Sequence, residues 1–181
     1  MKLLLHICCA PCAIHPFQEL AKDSQYSITG FFYNPNIHPF TEMERRRKVV
    51  ADYAAKEDFE VVFGEYDMEN FFKNVGANIE APLRCHICWR MRLEKTVQYA
   101  KRERFGAFTT TLLVSPYQDQ KTIISIGSEL GKEFGIKFID EDFRDGFRMA
   151  QEKAREQGIY RQKYCGCVFS EKERFYRPST I

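Results

Sequence analysis

Short apolar runs alternate along the chain with longer stretches in which apolar residues recur every three or four positions, the pattern of strands followed by helices. Residues 2–12, KLLLHICCAPC, open with three leucines, then His6 and Ile7, which predicts a buried strand of about five or six residues; Pro11 is placed to begin a helix. Residues 13–22 read as that helix, and residues 26–33, rich in β-branched and aromatic side chains, as a second strand. Two prolines make 34–39 a loop. Residues 41–57 form a long amphipathic helix with Thr41 as N-cap and Glu44 completing a capping box. A short strand at 60–63, a helix at 67–75 capped by Asp67 and a linker at 78–83 follow. Residues 84–104 read as one long helix ended by Gly106, 108–114 as a strand with 115–118 its exit turn, and 121–134 as a helix closed by Gly135. A strand at 137–139 and a helix at 147–157 ended by Gly158 complete the series, and from Ile159 onward no period is evident.

Strand–helix alternation of this kind predicts an α/β fold: a single Rossmann-like (HUP-type) domain over 1–181, its parallel sheet carrying helices on both faces, with an irregular cysteine-containing C-terminal segment. Ligands of such sheets bind beyond the carboxyl ends of the strands, where a following helix N-terminus also favours negative charge. The turn after the first strand is therefore the first candidate for the working centre.

With 44% hydrophobic and 29% charged residues the composition is that of an ordinary globular protein. The net charge is only +2, so any positive field that meets nucleic acid must be local. The leading leucine run is shorter than the roughly 7–15 apolar residues of an export signal and is interrupted by His6, and no later run approaches the roughly 20 of a membrane span. The expected setting is the cytoplasm, with no membrane partner.

All seven cysteines fall in tight groups: Cys8, Cys9 and Cys12; Cys85 and Cys88; Cys165 and Cys167. In a reducing compartment an odd, clustered set points to metal or redox chemistry rather than to a disulfide scaffold, and away from incidental buried thiols. Cys85 and Cys88, three apart on a helix, lie on one face near its N-terminus and can share a metal. Pairing them with Cys9 and Cys12 gives two CxxC units, the requirement of a four-thiolate zinc site, so a zinc-stabilised RNA-binding module is one reading. Seven sulfurs exceed what one zinc or one [4Fe–4S] cluster uses, which favours a redox centre. Cys165-Gly-Cys167 offers further ligands or a dithiol able to cycle as a two-electron store. Structural roles are the default for the four histidines, with His38 the first exception to consider and His86 facing away from its neighbouring thiols. Basic residues gather at 45–48, along 84–104 and in the tail, with Trp89, Phe175 and Tyr176 among them, which suits a groove that tracks phosphates and stacks bases.

These motifs together, HICCAPC at 6–12, YNPNIHP at 33–39 before an ERR helix, RCHICWRMRLEKT at 84–96, TTLLVSPYQ at 110–118 and GIYRQKYCGCVFS at 158–170, resemble the cobalamin-independent epoxyqueuosine reductases, the QueH family, in order over nearly the whole chain. The resemblance implies reductive removal of the epoxide oxygen from epoxyqueuosine at the wobble position of tRNA, with a [4Fe–4S] cluster on Cys8, Cys9, Cys85 and Cys88 and a redox-active disulfide at Cys165 and Cys167. Spacing alone would instead use Cys9 with Cys12. Since one cluster passes one electron at a time, an additional iron held by Cys12 or a nearby carboxylate is the expected complement, and an unidentified electron donor is required. Arg45, Arg46, Arg84, Arg90 and Arg92 are the expected phosphate contacts. A rival with a similar fold, an iron–sulfur tRNA sulfur transferase of the ATP-pyrophosphatase type, needs a glycine- and serine-rich phosphate loop after the first strand; here that position holds HICCAPC and no glycine.

Overall fold

In the computed structural model, which describes residues 1–178, five parallel strands lie in the order β3-β2-β1-β4-β5. They are β1 (Lys2–His6), β2 (Ser27–Phe32), β3 (Val61–Phe63), β4 (Ala107–Thr110) and β5 (Lys137–Phe138). The helices between and after them are α1 (Ala10–Lys22), α2 (Phe40–Lys56), α3 (Met68–Val75), α4 (Leu83–Arg102), α5 (Gln120–Phe134), α6 (Phe147–Glu156) and α7 (Val168–Phe175). From β1 the chain steps one way along the sheet through β2 to β3, then returns to β4 on the other side of β1 and steps outward to β5. Right-handed crossovers in opposite directions put their helices on opposite faces. Accordingly α1 packs with α2 and α6, while α4 packs with α3 and α5.

Leu3, Leu4 and Leu5 of the central strand are wholly buried, as is Phe108 on β4, so the apolar run at the start of the sequence is the axis of the core. Burying side chains of this size contributes about 1.5–3 kcal/mol each. Because the strand order reverses between β1 and β4, a crevice opens at their carboxyl ends, the usual ligand position in an open sheet.

Several expected boundaries shift. α1 begins at Ala10 rather than Ala13, since Pro11 is suited to the first turn, and this draws Cys12 into the helix. The expected capping box at Thr41 and Glu44 does not form: α2 starts at Phe40, after Pro39, with no side-chain cap. Asp67 stands at the N-cap of α3 but likewise makes no capping bond. α4 ends at Arg102, ahead of the end expected at Gly106, and Arg104 takes a left-handed conformation (φ 60°). The strand expected over 108–114 stops at Thr110, whose hydroxyl accepts from Leu112 N and starts a 3-10 turn over Thr111–Val114. The last stretch is not wholly irregular, because residues after Cys167 form α7.

Candidate functional site

His6 fixes the end of β1. Wholly buried, its Nδ1 lies 2.8 Å from Thr110 Oγ1 on β4 and its Nε2 lies 3.2 Å from the Tyr33 carbonyl beyond β2. A carbonyl only accepts, so Nε2 carries the proton and Nδ1 accepts from the threonine. Burial, and then the positive charge of Arg92, lower the histidine pKa to about 3. This neutral ring ties three strands together where the sulfurs begin.

The chain then turns into α1. Cys8, Cys9 and Cys12 bring their sulfurs within 4.8 Å of one another, and Cys8 and Cys9 are 3.7 Å apart. Two thiolates on one tetrahedral metal with bonds of about 2.3 Å would be separated by about 3.8 Å, so the donor set has the type and spacing to share metal. Cys9 is the N-cap residue of α1 and Cys12 the third residue of the helix, where the partial positive charge of the N-terminus favours thiolate. One of the three sulfurs takes that charge. Hydrogen bonds from Cys12 and Cys9 pull Cys8 well below the usual thiol range, against burial, with help from Arg92 and from the Thr111 hydroxyl at 3.3 Å. Cys12 is raised by sharing its proton with Cys8, and burial lifts Cys9 to about 12.

A cavity of about 620 Å³ opens over this turn, and six of the seven cysteines line it: Cys8, Cys12, Cys85, Cys88, Cys165 and Cys167. Cys9 lies behind, 2% exposed, accepting a 2.8 Å bond from Gln162 Nε2. Cys85 is the third residue of α4 and Cys88 one turn on, so this helix also aims its N-terminus at the cavity. Burial raises Cys85 and takes Cys88 to about 12. Cys85 and Cys88 face the same space as Cys8 without joining its tight group. Cys167 is the N-cap residue of α7, raised to about 11 by burial. Three helix N-termini thus face one set of thiols, their positive ends opposing the burial that raises most of these thiol pKa values.

The Cys165–Cys167 loop is held by side chains. Gly166 sits at φ 121°, with no room for a β-carbon, which would lie 2.8 Å from Ile37 Cγ1. Arg46 donates to the carbonyls of Cys165 (3.0 Å) and Tyr164 (3.3 Å) and pairs with Glu42 at 2.8 Å. The Tyr164 hydroxyl donates to the His38 carbonyl at 2.6 Å, and His38 N donates to Gly166 O at 2.8 Å. Cys165 is exposed and Cys167 buried; both, like the other five cysteines, are free thiols, so the expected disulfide is not formed in this structure. His38 is buried against Phe71 and Phe72, and His86 packs beside Trp89.

Three of the five arginines expected on phosphates lie inside the protein. Arg46 clamps the loop just described. Arg84 is 2% exposed and forms a two-pronged pair with Glu173 of α7 at 2.9 and 3.0 Å. Arg92 is 5% exposed and donates to Asn34 Oδ1 at 2.7 Å. Only Arg45, stacked on Tyr160 at 3.6 Å, and Arg90, paired with Glu129, remain toward solvent. The exposed cations that line the cavity are Arg161, Lys163 and Arg174. Arg161 and Lys163 are inconspicuous in the sequence because they stand in a stretch without period, although their charges flank the CGC motif.

The family model for "Epoxyqueuosine reductase QueH" matches residues 3–173. Among curated proteins, the epoxyqueuosine reductase QueH of Dehalococcoides mccartyi is 37% identical over 99% of this chain and 97% of its own length. That of Thermotoga maritima is 37% identical over 99% and 95%. Two solved structures share the fold at low identity. The U34-tRNA thiolase NcsA from Methanococcus maripaludis, solved with its [4Fe-4S] cluster, gives a TM-score of 0.62 at 12% identity, covering 94% of this chain and 61% of the thiolase. A Methanocaldococcus jannaschii protein described as a predicted subunit of tRNA methyltransferase gives 0.59 at 14% identity, over 86% and 75%.

Proposed function

The chain belongs to the epoxyqueuosine reductase QueH family, and from that membership we propose how its own residues serve the reaction. It is an oxidoreductase, and its substrate is tRNA carrying epoxyqueuosine at the wobble position. Taking the epoxide oxygen away to leave an alkene consumes two electrons and two protons and releases water. When bound, an iron–sulfur cluster on the cysteine thiolates supplies electrons singly.

The observation that carries this reading is the gathering of six cysteines from three distant segments around one cavity at the β1/β4 crevice. Cys8, Cys9, Cys85 and Cys88 would hold the [4Fe–4S] cluster, and Cys12, within 4.8 Å of Cys8 and Cys9, is the spare thiol that would hold an additional iron. Cavity lining favours a second ligand set, Cys8, Cys12, Cys85 and Cys88, because Cys9 turns its sulfur toward Gln162. Cys165 and Cys167, joined by a glycine, are the dithiol that relays reducing equivalents from an electron donor yet to be identified. Arg161, Lys163 and Arg174 at the rim, with Arg45 and Arg90 on the outer surface, hold the phosphates while the wobble nucleotide leaves its stack to enter.

Anaerobic reconstitution with iron and sulfide should give a brown protein that converts epoxyqueuosine in tRNA. A colourless protein that takes up a single zinc and performs no reduction would overturn the reading. Comparing Cys9→Ala with Cys12→Ala decides between the ligand sets: the variant that loses the cluster names the fourth ligand. Charge reversal at Arg161 and Lys163 should weaken tRNA binding and lower its salt slope by about 1 for each phosphate no longer held; an unchanged slope moves the footprint elsewhere.

A further inference from the structure

The buried cations of the cavity wall are not alike. Arg46 has the carboxylate of Glu42 and Arg84 that of Glu173. Arg92, 5% exposed on α4 one turn beyond Cys88, has no carboxylate within ion-pair distance among the described residues. Its guanidinium makes one strong bond, to Asn34 Oδ1 at 2.7 Å, and its Nη1 lies 4.0 Å from Cys88 Sγ. The Nε has no partner. Asn34 is itself fixed, because its Nδ2 donates to the Ile7 carbonyl at 2.9 Å, which turns the amide oxygen toward the arginine. A guanidinium held this firmly in a buried wall with no carboxylate partner is costly, so the fold retains it for negative charge on the sulfurs of the cavity.

We propose that Arg92 is the built-in counter-ion of the thiolate-bound iron–sulfur centre, and that its positive charge sets how readily that centre accepts an electron. The inference rests on the reductase reading above. A cluster carried by four thiolates is anionic and becomes more so on reduction, so a fixed cation beside a ligand sulfur favours the reduced form. Asn34 is the positioning residue that aims it. Arg92 acts through its field, not by contact with the substrate.

The test uses full-length protein reconstituted with iron and sulfide: wild type, Arg92→Lys, Arg92→Gln and Asn34→Ala. Iron per chain is measured, and the midpoint potential is followed by visible absorption and electron paramagnetic resonance. Arg92→Gln should hold its cluster at a more negative potential, with Arg92→Lys near wild type. Asn34→Ala should shift in the same direction by less, and it carries the test if Arg92→Gln does not fold. Arg92→Gln at the wild-type potential overturns the proposal, and if that variant also binds tRNA more weakly, the missing anion is a substrate phosphate. Equal cluster loss in the Lys and Gln variants overturns it too, since shape rather than charge is then required. Failure of wild type itself to take up a cluster is a different result, and it removes the reductase reading underneath.

Discussion

The sulfurs beyond β1 are set by backbone elements, whereas those of the Cys165–Cys167 loop are set by the Arg46 side chain of α2 and by bonds to the backbone of His38. In the first region a strand, a turn and a helix N-terminus fix Cys8, Cys9 and Cys12, and no long side chain is needed to bring the sulfurs within 4.8 Å. In the second, Arg46, Tyr164 and the left-handed Gly166 fix the residues that lead into α7. One region is continuous with the central strand of the sheet. The other depends on a few polar contacts and one φ angle.

The comparison predicts that the two regions fail differently. Cys8→Ala should abolish iron uptake and reductase turnover together while leaving the fold intact, as read by metal analysis and circular dichroism; a variant that kept its iron would show that the β1 sulfurs are not where metal is held. Arg46→Met leaves Glu42 short of its cation and two carbonyls without a donor, and should cost about 3–5 kcal/mol, the usual penalty for breaking a buried pair. Its cluster should remain while turnover falls, separating loop from metal centre. Gly166→Ala should destabilise by about 1–3 kcal/mol through the same loop, visible in denaturant melts and in faster alkylation of Cys167.

The strand-fixed region should in turn be the acid-sensitive one. His6 is neutral when folded, with a pKa near 3, while in the unfolded chain it titrates near 6.5. Protons therefore bind the unfolded state preferentially between these values, and this contribution to stability is lost as pH falls through the window. For the apoprotein the loss between pH 7 and 5 should be about 2 kcal/mol, and His6→Asn should flatten it. A wild-type curve already flat over that range would mean that the ring is not buried neutral.

Periodicity and punctuation made the sheet legible, because buried leucines, Pro11 and Gly135 each act within a few residues of themselves. They failed where a local preference lost to the tertiary setting. Thr110 reads as mid-strand, yet its hydroxyl caps a 3-10 turn beside the sulfurs; Thr41 has the right spacing for a cap, yet Pro39 already starts the helix. The site was legible as seven cysteines in three groups, and the fold brings all three groups to one cavity. The arginines were the reverse case. Their sign was plain, but whether a guanidinium faces water or a carbonyl 119 residues away, as Arg46 does, depends on how the chain closes.

The pair between Arg84 and Glu173 joins α7 to the helix that carries Cys85 and Cys88. Synthesis runs from β1 toward α7, so the ribosome releases the wall of the cavity that holds Cys167 long after the sheet and its first five thiols can fold. Until that pair forms, the Cys167 side of the cavity is not joined to the helix of Cys85 and Cys88, so the chamber is a product of the last stage of folding.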